Sequence, residues 1–554
     1  MILFAAFYSG TLGTLAPVDR DESRFAEASR QMFESAALPG AQRDLAVDER
    51  GAPRGLHAGG WAVPMFGHEP RLTKPPLIYW LQTASAWCFS GGEPGRDAIW
   101  MYRVPSMLAA LGAAAGTVLL GRRMFAPGAA LLAGVLLALA PMVMWEAHQA
   151  RSDALLMLCT VLSQGALWGV WARRGRSGSV LAGVGRAALF WLALGVGILA
   201  KGPITPMVAG LTVVALCITM RVRGEAHPWR WMGRLHGWLA LPILALVLAP
   251  WLIAIDHAVG LETFARVSWD EFVVRGTTGS REGHFAPPGF HVLLGVGLLF
   301  PASVWIMPAL ARAWRRGRVR GCSEALRKVS APDLPARRML TRLLPKHRRD
   351  AELFLLAWLV PAWIVFELSP AKLPHYTLPL YPAACLLAGR FAAARLGQRV
   401  AAVRAGLTAR RRSAVNVAAG LAVFALVMFA VFAALGALPI PGSFTARLMA
   451  PIAARWPEIV FSPGAGAAPP FASVYHEDSM VFWSRGRVER IHTLKMSDWL
   501  ADHRDGVAVI DAEQLPEAEF LGFRSIASMP GKNSTKPRGE RDTVLHVVAG
   551  PGVR

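Results

Sequence analysis

Long apolar stretches without charged residues constrain the fold of this chain more than any other feature. About 20 helical residues cross a hydrocarbon core of roughly 30 Å. The apolar stretches reach or approach this length, and they lack the polar face that a helix on the surface of a soluble protein keeps. The pattern predicts a helical membrane protein. The stretches are residues 104–120, 126–145, 187–200, 204–220, 237–255, 289–311, 353–366 and 414–438.

The chain carries a formal net charge of +22 at pH 7. In a soluble protein, clustered Lys and Arg would suggest binding to nucleic acid, because they neutralise phosphates. Here the basic residues cluster between the apolar stretches, at 121–123, 173–176, 221–234, 312–349 and 395–412. Cytoplasmic loops of membrane proteins have this bias. The charge therefore predicts a positive-inside topology and argues against a nucleic-acid partner.

The basic clusters also predict the number of spans. If all of them are cytoplasmic, two crossings must separate each neighbouring pair, and the chain meets this rule with about 11 spans, the first at residues 1–16. The rule requires residues 75–90 not to cross. We therefore expect an interfacial helix there, within a first outer loop at 18–103. The predicted domains are a transmembrane domain at 1–438 and an extracytoplasmic domain at 439–554.

The C-terminal segment differs in composition from the rest of the chain. It has short β-rich runs at 471–475, 480–483, 507–510 and 544–548, and a predicted helix at 497–503 with Ser497 as its N-cap. The five cysteines all precede this segment and have no spacing typical of disulfides or metal sites. A small mixed α/β domain is expected.

Three predicted outer segments place charged residues beside a membrane helix. Residues 21–27 have the sequence D-E-S-R-F-A-E, residues 72–80 L-T-K-P-P-L-I-Y-W, and residues 372–376 K-L-P-H-Y. Each has a purely structural alternative: a solvated helix start with ion pairs, a lysine extended toward headgroups, and an ordinary membrane anchor. Asp153 is similarly either functional, a helix N-cap, or an ion-pair partner of Arg151. Charges at such positions are costly unless paired or used.

Taken together, these segments resemble the GT-C superfamily of polyprenyl-phosphate-sugar glycosyltransferases. The similar branch, in glycosyltransferase family 39, contains bacterial lipid A aminoarabinose transferase and is related to protein O-mannosyltransferases. Residues 21–27 resemble its D-E-x-R-Y-A-E motif, 74–80 its K-P-P-x-x-Y-W, 199–203 its T-K-G and 372–376 its K-L-P-x-Y. The motifs occur in order over residues 1–390. The resemblance implies a mainly α, GT-C type transmembrane bundle whose membrane part is catalytic.

The resemblance also implies roles for individual residues. Asp21 matches the acid that orients or deprotonates the acceptor hydroxyl, and a carboxylate near an anomeric carbon can also stabilise oxocarbenium-like charge. The positions that match phosphate-contacting residues are Lys74, Arg275 and Tyr376. The predicted catalytic residues are Asp21, Glu22 and Asp153. The predicted substrate-binding residues are Arg24, Lys74, Arg275, Lys372 and Tyr376.

A cofactor is not required by this chemistry. Because the leaving group is a lipid phosphate, fixed cations can bear its developing charge without a nucleotide or a divalent ion. Relatives in the aminoarabinose branch place a metal-linked carboxylate just before the K-P lysine, whereas here that position is Thr73. We therefore predict no metal ligands, although a divalent metal ion stays compatible with the reaction.

The leading hypothesis is an inverting glycosyltransferase in the cell inner membrane. It would move a sugar from an undecaprenyl-phosphate type donor to a lipid A-like or protein acceptor on the extracytoplasmic face, as in lipid A modification or protein O-glycosylation. The predicted partners are this donor, the acceptor and membrane lipid. The alternatives are a transporter or flippase of a lipid-linked sugar, and a noncatalytic scaffold. Transporters typically have internal repeats, and the sequence shows none.

Overall fold

The computed structural model describes residues 2–17, 21–37, 46–47, 53–54, 59–174, 179–274, 286–318, 346–404, 413–435, 441–463, 468–537 and 539–553. The α-helices in these ranges are α1 (Ile2–Thr11), α2 (Asp21–Ala37), α3 (Leu77–Ser90), α4 (Ile99–Met124), α5 (Pro127–Ala138), α6 (Pro141–Ala147), α7 (Asp153–Trp171), α8 (Val180–Lys201), α9 (Ile204–Val222), α10 (Ala240–Val259), α11 (Leu261–Trp269), α12 (Phe290–Leu298), α13 (Ser303–Arg318), α14 (Lys346–Leu368), α15 (Tyr381–Arg404), α16 (Ser413–Leu435), α17 (Pro441–Arg455), α18 (Pro457–Val460), α19 (Asp478–Trp483), α20 (Thr493–Asp502) and α21 (Leu515–Phe520). Shorter 3-10 helices occupy Arg230–Leu235, Gly237–Leu239 and Pro374–Leu380, and a π-helical turn occupies Asp270–Val274. The strands are β1 (Ala46–Val47), β2 (Pro53–Arg54), β3 (Met65–Phe66), β4 (Glu69–Pro70), β5 (Phe471–Ser473), β6 (Glu489–Arg490), β7 (Val507–Asp511), β8 (Arg524–Lys532) and β9 (Asp542–Ala549).

The helical part of the molecule is built to lie in a membrane. Within the described ranges, seven helices are long and apolar enough to cross a bilayer, or eight if α5 and α6 count as one bent span. Large aliphatic side chains on these helices are exposed, such as Leu241 (79%) and Leu426 (69%). Exposure of this size is unfavourable in water and favourable in lipid. The chain is a multi-pass membrane protein.

The predicted count of about 11 spans stays a prediction. The predicted first span corresponds to α1, which has only 10 residues. The predicted span at 289–311 is divided between α12 and α13. The basic cluster at 312–349 lies mostly outside the described residues, as does part of the cluster at 395–412.

The apolar stretch at 126–145 is bent. α5 and α6 meet at an angle of 62°. Pro141 opens α6, and a proline fits the first turn of a helix but cannot donate a hydrogen bond to a preceding turn. The bend brings the end of α6 and the following loop to the first loop, where the Ala150 N–H donates to the carboxylate of Glu22 at 2.9 Å.

Close packing of the bundle depends on small residues. At Gly389 in α15, a Cβ atom would lie 2.8 Å from the Ala133 nitrogen and 2.9 Å from the Ala129 oxygen of α5. A larger side chain would therefore separate these helices. Small residues at helix crossings are typical of membrane bundles, in which close van der Waals contact drives association.

Two helices of the first loop pack on each other beside the bundle. α2 begins with Asp21 and Glu22, whose carboxylates favour the positive end of the helix dipole. α3 follows two prolines, ends at Gly91 in the left-handed region (φ 71°), and has 14 residues, too few to cross a bilayer. The rings of Phe25 and Tyr79 stack with centroids 5.3 Å apart. α3 thus has the length expected of an interfacial helix.

The C-terminal segment contains a five-stranded sheet with the order β6-β5-β7-β9-β8. β5 pairs in parallel with β6 and β7, whereas β9 pairs antiparallel with β7 and β8. All five residues of β7 are buried, as expected for a central strand covered on both faces. The predicted small α/β region is present.

Two local predictions in this segment were wrong, and one strand was not predicted. The run at 480–483, predicted as a strand, lies in the buried helix Asp478–Trp483. Periodicity cannot distinguish a short buried strand from a helix. The predicted helix at 497–503 begins earlier, as Thr493–Asp502, and its N-cap is His492 instead of Ser497. The strand Arg524–Lys532 was not predicted.

The C-terminal segment contacts the first loop directly. Arg24 in α2 forms a 2.7 Å ion pair with Asp478 in α19. The guanidinium of Arg30 donates to the carbonyl oxygen of Phe482 at 2.6 Å and lies 3.8 Å from the centroid of its ring. These contacts place side chains of the C-terminal segment beside the helix that carries Asp21.

Candidate functional site

A cavity of about 1550 Å³ lies between the first loop, the helical bundle and the C-terminal segment. Its lining combines many charged side chains with an apolar wall. The acidic lining residues are Asp21, Glu146, Asp153, Glu271, Glu477 and Asp478. The basic lining residues are Arg24, Arg71, Lys74, Arg151, Lys201 and Arg490. The apolar wall includes Leu298, Val365, Phe366, Met428, Val431 and Leu435.

Asp21 lies on the cavity wall at the start of α2. Its carboxylate accepts a hydrogen bond from Arg151 at 3.1 Å, and 39% of its side chain is exposed. Burial raises the pKa of Asp21, but the charges of Arg151, Arg71 and Lys74 together hold it well below its usual range. Asp21 is therefore ionised at neutral pH and can accept a proton or a hydrogen bond from a hydroxyl group.

Asp153 belongs to a network centred on Arg151. Its carboxylate accepts a hydrogen bond from Lys201 at 2.5 Å and lies 3.9 Å from the Arg151 guanidinium. That guanidinium is also 3.4 Å from Glu146. The ring of His375 lies 3.8 Å from Asp153 and 3.9 Å from Glu146. The ion pair with Arg151 is therefore present, whereas the N-cap position belongs to the residue before Asp153.

Lys74 lies in the loop before α3 and has an acidic partner. Its ammonium group donates a hydrogen bond to Glu271 at 2.5 Å and lies 5.8 Å from the centroid of the Phe272 ring. Burial lowers the pKa of Lys74, and the carboxylate of Glu271 opposes this effect. Thr73 lines the cavity next to it. A ligand phosphate can take the place of the Glu271 carboxylate beside this cation.

Three further side chains of the first loop and the K-L-P-x-Y motif reach the same cavity. Arg24 lines it while paired with Asp478. Arg71 donates to the hydroxyl of Tyr79 at 2.9 Å, which fixes its guanidinium beside Asp21. Tyr376, in the 3-10 helix that starts with Pro374, lines the cavity as well.

Glu22 is not among the residues that line the cavity. Its two carboxylate oxygens accept hydrogen bonds from Arg103 at 2.7 and 2.9 Å, and both side chains are almost completely buried. Arg103 also donates to the carbonyl oxygens of Leu12 and Leu15. This ion pair connects α2 to α4 and to the end of the first helix. Glu22 therefore holds the start of α2, which carries Asp21, in position.

Lys372 also lies outside the cavity lining. It is 4% exposed and donates to the carbonyl oxygens of Ala286 and Ser369, at 2.7 and 2.6 Å. These bonds stabilise the turn that leads to the 3-10 helix carrying Tyr376. Arg275 lies outside the described residues.

The sequence motifs did not identify four lining residues: Arg71, Glu146, Arg151 and His375. His375 occupies the variable position of K-L-P-x-Y, and Glu146 and Arg151 lie in a short predicted outer loop between apolar stretches. The sequence feature that could have identified them is their polarity or charge beside apolar stretches, because such groups are costly at membrane depth unless they are paired or used. Their mutual contacts depend on the bend between α5 and α6, which the composition alone does not predict.

Within the ranges that the structure covers, no group of three or more His, Cys, Asp or Glu side chains is arranged to hold a metal ion. The side chains around Asp21 instead alternate in sign, with an arginine in contact with three carboxylates. Such an arrangement can bind an anion and accept a proton.

The chain is similar to known proteins in sequence and in fold. Residues 73–253 match the sequence profile of the family described as dolichyl-phosphate-mannose-protein mannosyltransferase. The crystal structure of ArnT from Cupriavidus metallidurans bound to undecaprenyl phosphate covers 99% of both chains with a TM-score of 0.66 and 21% identity. The chain has the GT-C type fold. An archaeal oligosaccharyltransferase, AglB from Archaeoglobus fulgidus, is also similar in fold. The alignment covers 93% of this chain and 69% of AglB, with a TM-score of 0.51 and 12% identity.

In sequence, the chain is similar to arabinosyl transferases named for an undecaprenyl phosphate-linked aminoarabinose. It is 26% identical over 398 residues to the undecaprenyl phosphate-alpha-4-amino-4-deoxy-L-arabinose arabinosyl transferase of Erwinia tasmaniensis. It is 24% identical over 395 residues to the enzyme of the same name from Edwardsiella ictaluri. Each alignment covers 70% of this chain and 58% of the relative. The chain therefore spans less than two thirds of the length of these relatives. The predicted fold class is confirmed, and the comparisons support the resemblance to GT-C glycosyltransferases.

Proposed function

We propose that this GT-C protein is an inverting glycosyltransferase that uses a polyprenyl-phosphate-linked sugar. The observation that carries the proposal is that an ionised Asp21 shares one cavity with Lys74, Arg71 and Arg151, and that the same cavity has an apolar wall. A lipid-linked sugar has matching parts: an anionic phosphate, a polar ring and a long apolar chain. The names of the relatives, which contain undecaprenyl phosphate, support the same donor class.

The donor phosphate would bind at Lys74, with Tyr376 on the same cavity wall. Arg275 is assigned to the same phosphate-binding group because of the motif resemblance. The polyprenyl chain would lie along the apolar wall formed in part by Val365 and Val431. Fixed cations stabilise the charge that develops on the leaving phosphate, in a site where little water competes. A divalent ion, if bound, would supply further positive charge.

Asp21 would act as the general base. It accepts the proton of the acceptor hydroxyl as the acceptor oxygen attacks the anomeric carbon opposite the phosphate. The new glycosidic C–O bond forms while the anomeric C–O bond to phosphate breaks, and the electron pair leaves with the phosphate. A single displacement inverts the anomeric centre. Asp153, the second proposed acid, keeps Lys201 and Arg151 in place beside Asp21.

The acceptor would enter where the C-terminal segment meets the first loop. Arg24, Arg71 and Arg490 line the main cavity there and also a second cavity of about 330 Å³. In the second cavity these three guanidinium groups face only two carboxylates, those of Glu69 and Asp478, and the remaining positive charge favours an anionic acceptor. We therefore propose a phosphorylated, lipid A-like glycolipid as the first candidate acceptor and a protein as the second. Mass spectrometry of envelope lipids and proteins from a deletion strain distinguishes them.

The positive-inside pattern and the relatives support an active site on the extracytoplasmic face of the inner membrane. Accessibility labelling of single cysteines tests this sidedness. Reagents that do not cross the membrane should modify cysteines placed at Asp21 and Lys74 from the same side. Labelling of the two positions from opposite sides would contradict the proposed site.

Transfer itself is tested with the purified protein and synthetic undecaprenyl-phosphate sugars. Asp21→Asn removes the base while it keeps the size of the side chain, so we expect product formation to fall by at least about 100-fold. Asp502→Asn, at an exposed residue of the C-terminal segment, is the matched control and should retain wild-type turnover. Equal turnover of wild type and Asp21→Asn would refute the assignment. If the protein moves the donor across the membrane and no glycosidic bond forms, the alternative hypothesis of a transporter would be favoured.

A further inference from the structure

Glu146 has a carboxylate oxygen without a hydrogen-bond partner. Its side chain is completely buried, and it lines the cavity at the end of α6. One oxygen faces Arg151 at 3.4 Å, whereas the other has no partner in the part of the chain that the structure describes. Buried polar atoms nearly always have a partner. An orphaned acceptor in a cavity wall therefore indicates a ligand group that donates a hydrogen bond.

The cationic neighbours of Glu146 have other contacts. Lys201 donates to Asp153, and the second amino group of Arg151 donates to Asp21. His375 lies 3.9 Å from the oxygen of Glu146 that already faces Arg151, which is beyond hydrogen-bond distance. None of these three neighbours therefore donates a hydrogen bond to the orphaned oxygen.

The chemistry of the donor limits which part can reach this oxygen. A polyprenyl phosphodiester has only acceptor oxygens around its phosphorus, and a carboxylate repels them. Its lipid chain has no polar hydrogen at all. Only the sugar carries hydroxyl or amino groups that donate hydrogen bonds. The acceptor hydroxyl would instead meet Asp21, whose side chain is 39% exposed while that of Glu146 is fully buried.

We propose that Glu146 is a specificity-determining residue that accepts a hydrogen bond from a hydroxyl or amino group of the donor sugar. This inference rests on the proposed function. It gives Glu146 a contact with the sugar alone, in contrast to Lys74, which would contact the phosphate that every donor shares. Glu146 should therefore distinguish sugars and should be insensitive to the carrier lipid.

The test compares ligands that differ only in the sugar. Equilibrium binding is measured for undecaprenyl phosphate and for an undecaprenyl-phosphate sugar, with wild type, Glu146→Gln and Glu146→Asp. Loss of a hydrogen bond to a charged group should weaken binding of the sugar-bearing donor by about tenfold. Binding of bare undecaprenyl phosphate should change less than about twofold. Glu93→Gln, an exposed acid outside the cavity, is the matched control and should bind both ligands like wild type.

A second measurement uses turnover. The kcat/KM values are determined for donors that differ at one hydroxyl or amino group, and Glu146→Gln should reduce the discrimination between them while the KM of the acceptor stays constant. A purely structural role would weaken bare carrier and donor equally, and that result overturns the inference. An unchanged donor profile, or a change in acceptor KM alone, overturns it too. If wild type transfers no sugar, the proposed function fails, while the binding comparison still decides the role of Glu146.

Discussion

A buried ion cluster connects α2 to the C-terminal segment, and its removal should have a large effect. Arg485 donates to Glu34 at 2.5 Å and to Asp97 at 3.0 Å. Arg30 donates to the other oxygen of Asp97 at 2.7 Å. The side chains of Arg485, Glu34 and Asp97 are 3%, 2% and 0% exposed. Two guanidinium groups thus neutralise two carboxylates that have little contact with water.

Replacing Arg485 by Met should destabilise this junction by about 3–5 kcal/mol, the usual cost of removing one partner of a buried ion pair. The cost arises because Glu34 and Asp97 keep their charges in a site with little solvent. The affected contact joins α2 to the segment after α19, so the C-terminal segment should open more often. Hydrogen exchange of residues 468–537 measures this opening directly, and sugar transfer should fall because α2 carries Asp21.

A double mutant separates the ion cluster from a general packing defect. In Arg485→Met with Glu34→Gln, one of the stranded charges is also removed, so part of the lost stability should return, with a coupling of about 0.5–3 kcal/mol. Arg524→Met, at an exposed arginine of the same segment, serves as control. Hydrogen exchange that is equally fast in wild type and Arg485→Met, or strictly additive effects in the double mutant, would refute the reasoning.

Two further predictions concern single charges. Lys74→Met should weaken binding of undecaprenyl phosphate by about tenfold. Lys372→Met should instead lower the melting temperature and leave that affinity near wild type, because Lys372 donates to the backbone carbonyls of Ala286 and Ser369 and does not line the cavity. Equal affinity losses in a binding assay would contradict this division of roles. Burial raises the pKa of Glu27 from 4.5 to about 8. The stability that Glu27 contributes is therefore full below pH 4.5 and is lost as the pH rises through about 8. Glu27→Gln, which resembles the protonated acid, should reduce the fall in melting temperature over this range, and an unaltered pH profile would show that Glu27 ionises normally.

The membrane architecture could be predicted from the sequence because lipid imposes one requirement on every span: a long helix without charges. α3 was separated from the spans because a crossing there would have placed the later basic clusters on both sides of the membrane. The bend at Pro141 and the interruption between α12 and α13 were not predicted. Prolines also occur within the apolar helices of this chain, so a proline in an apolar stretch does not by itself show that the helix ends there. In the C-terminal sheet, the buried strand Val507–Asp511 was predicted, whereas the more exposed Arg524–Lys532 gave little apolar signal.

The motifs predicted the neighbourhood of the site better than the function of each residue. Asp21 and Lys74 line the cavity, as expected for residues that touch a ligand, whereas Glu22 and Lys372 of the same motifs bond to the protein. A motif combines residues that contact ligand with residues that hold its backbone, and local sequence does not separate them. Arg151 was considered only as an ion-pair partner of Asp153, because its contact with Asp21 joins residues that are 130 positions apart in the sequence.

Charge balance constrains how an anionic donor can bind. In the described part of the lining, six acidic side chains face six basic ones, so the cavity has no surplus of positive charge to neutralise a phosphate. A donor phosphate must therefore take a cation from an existing pair. Lys74 is suited to this exchange because its ammonium pairs with Glu271 of a different segment, whereas Arg151 is shared among three carboxylates. Binding at Lys74 would displace the Glu271 carboxylate and leave the network around Asp21 intact, so that the base keeps its charge when the donor is in place.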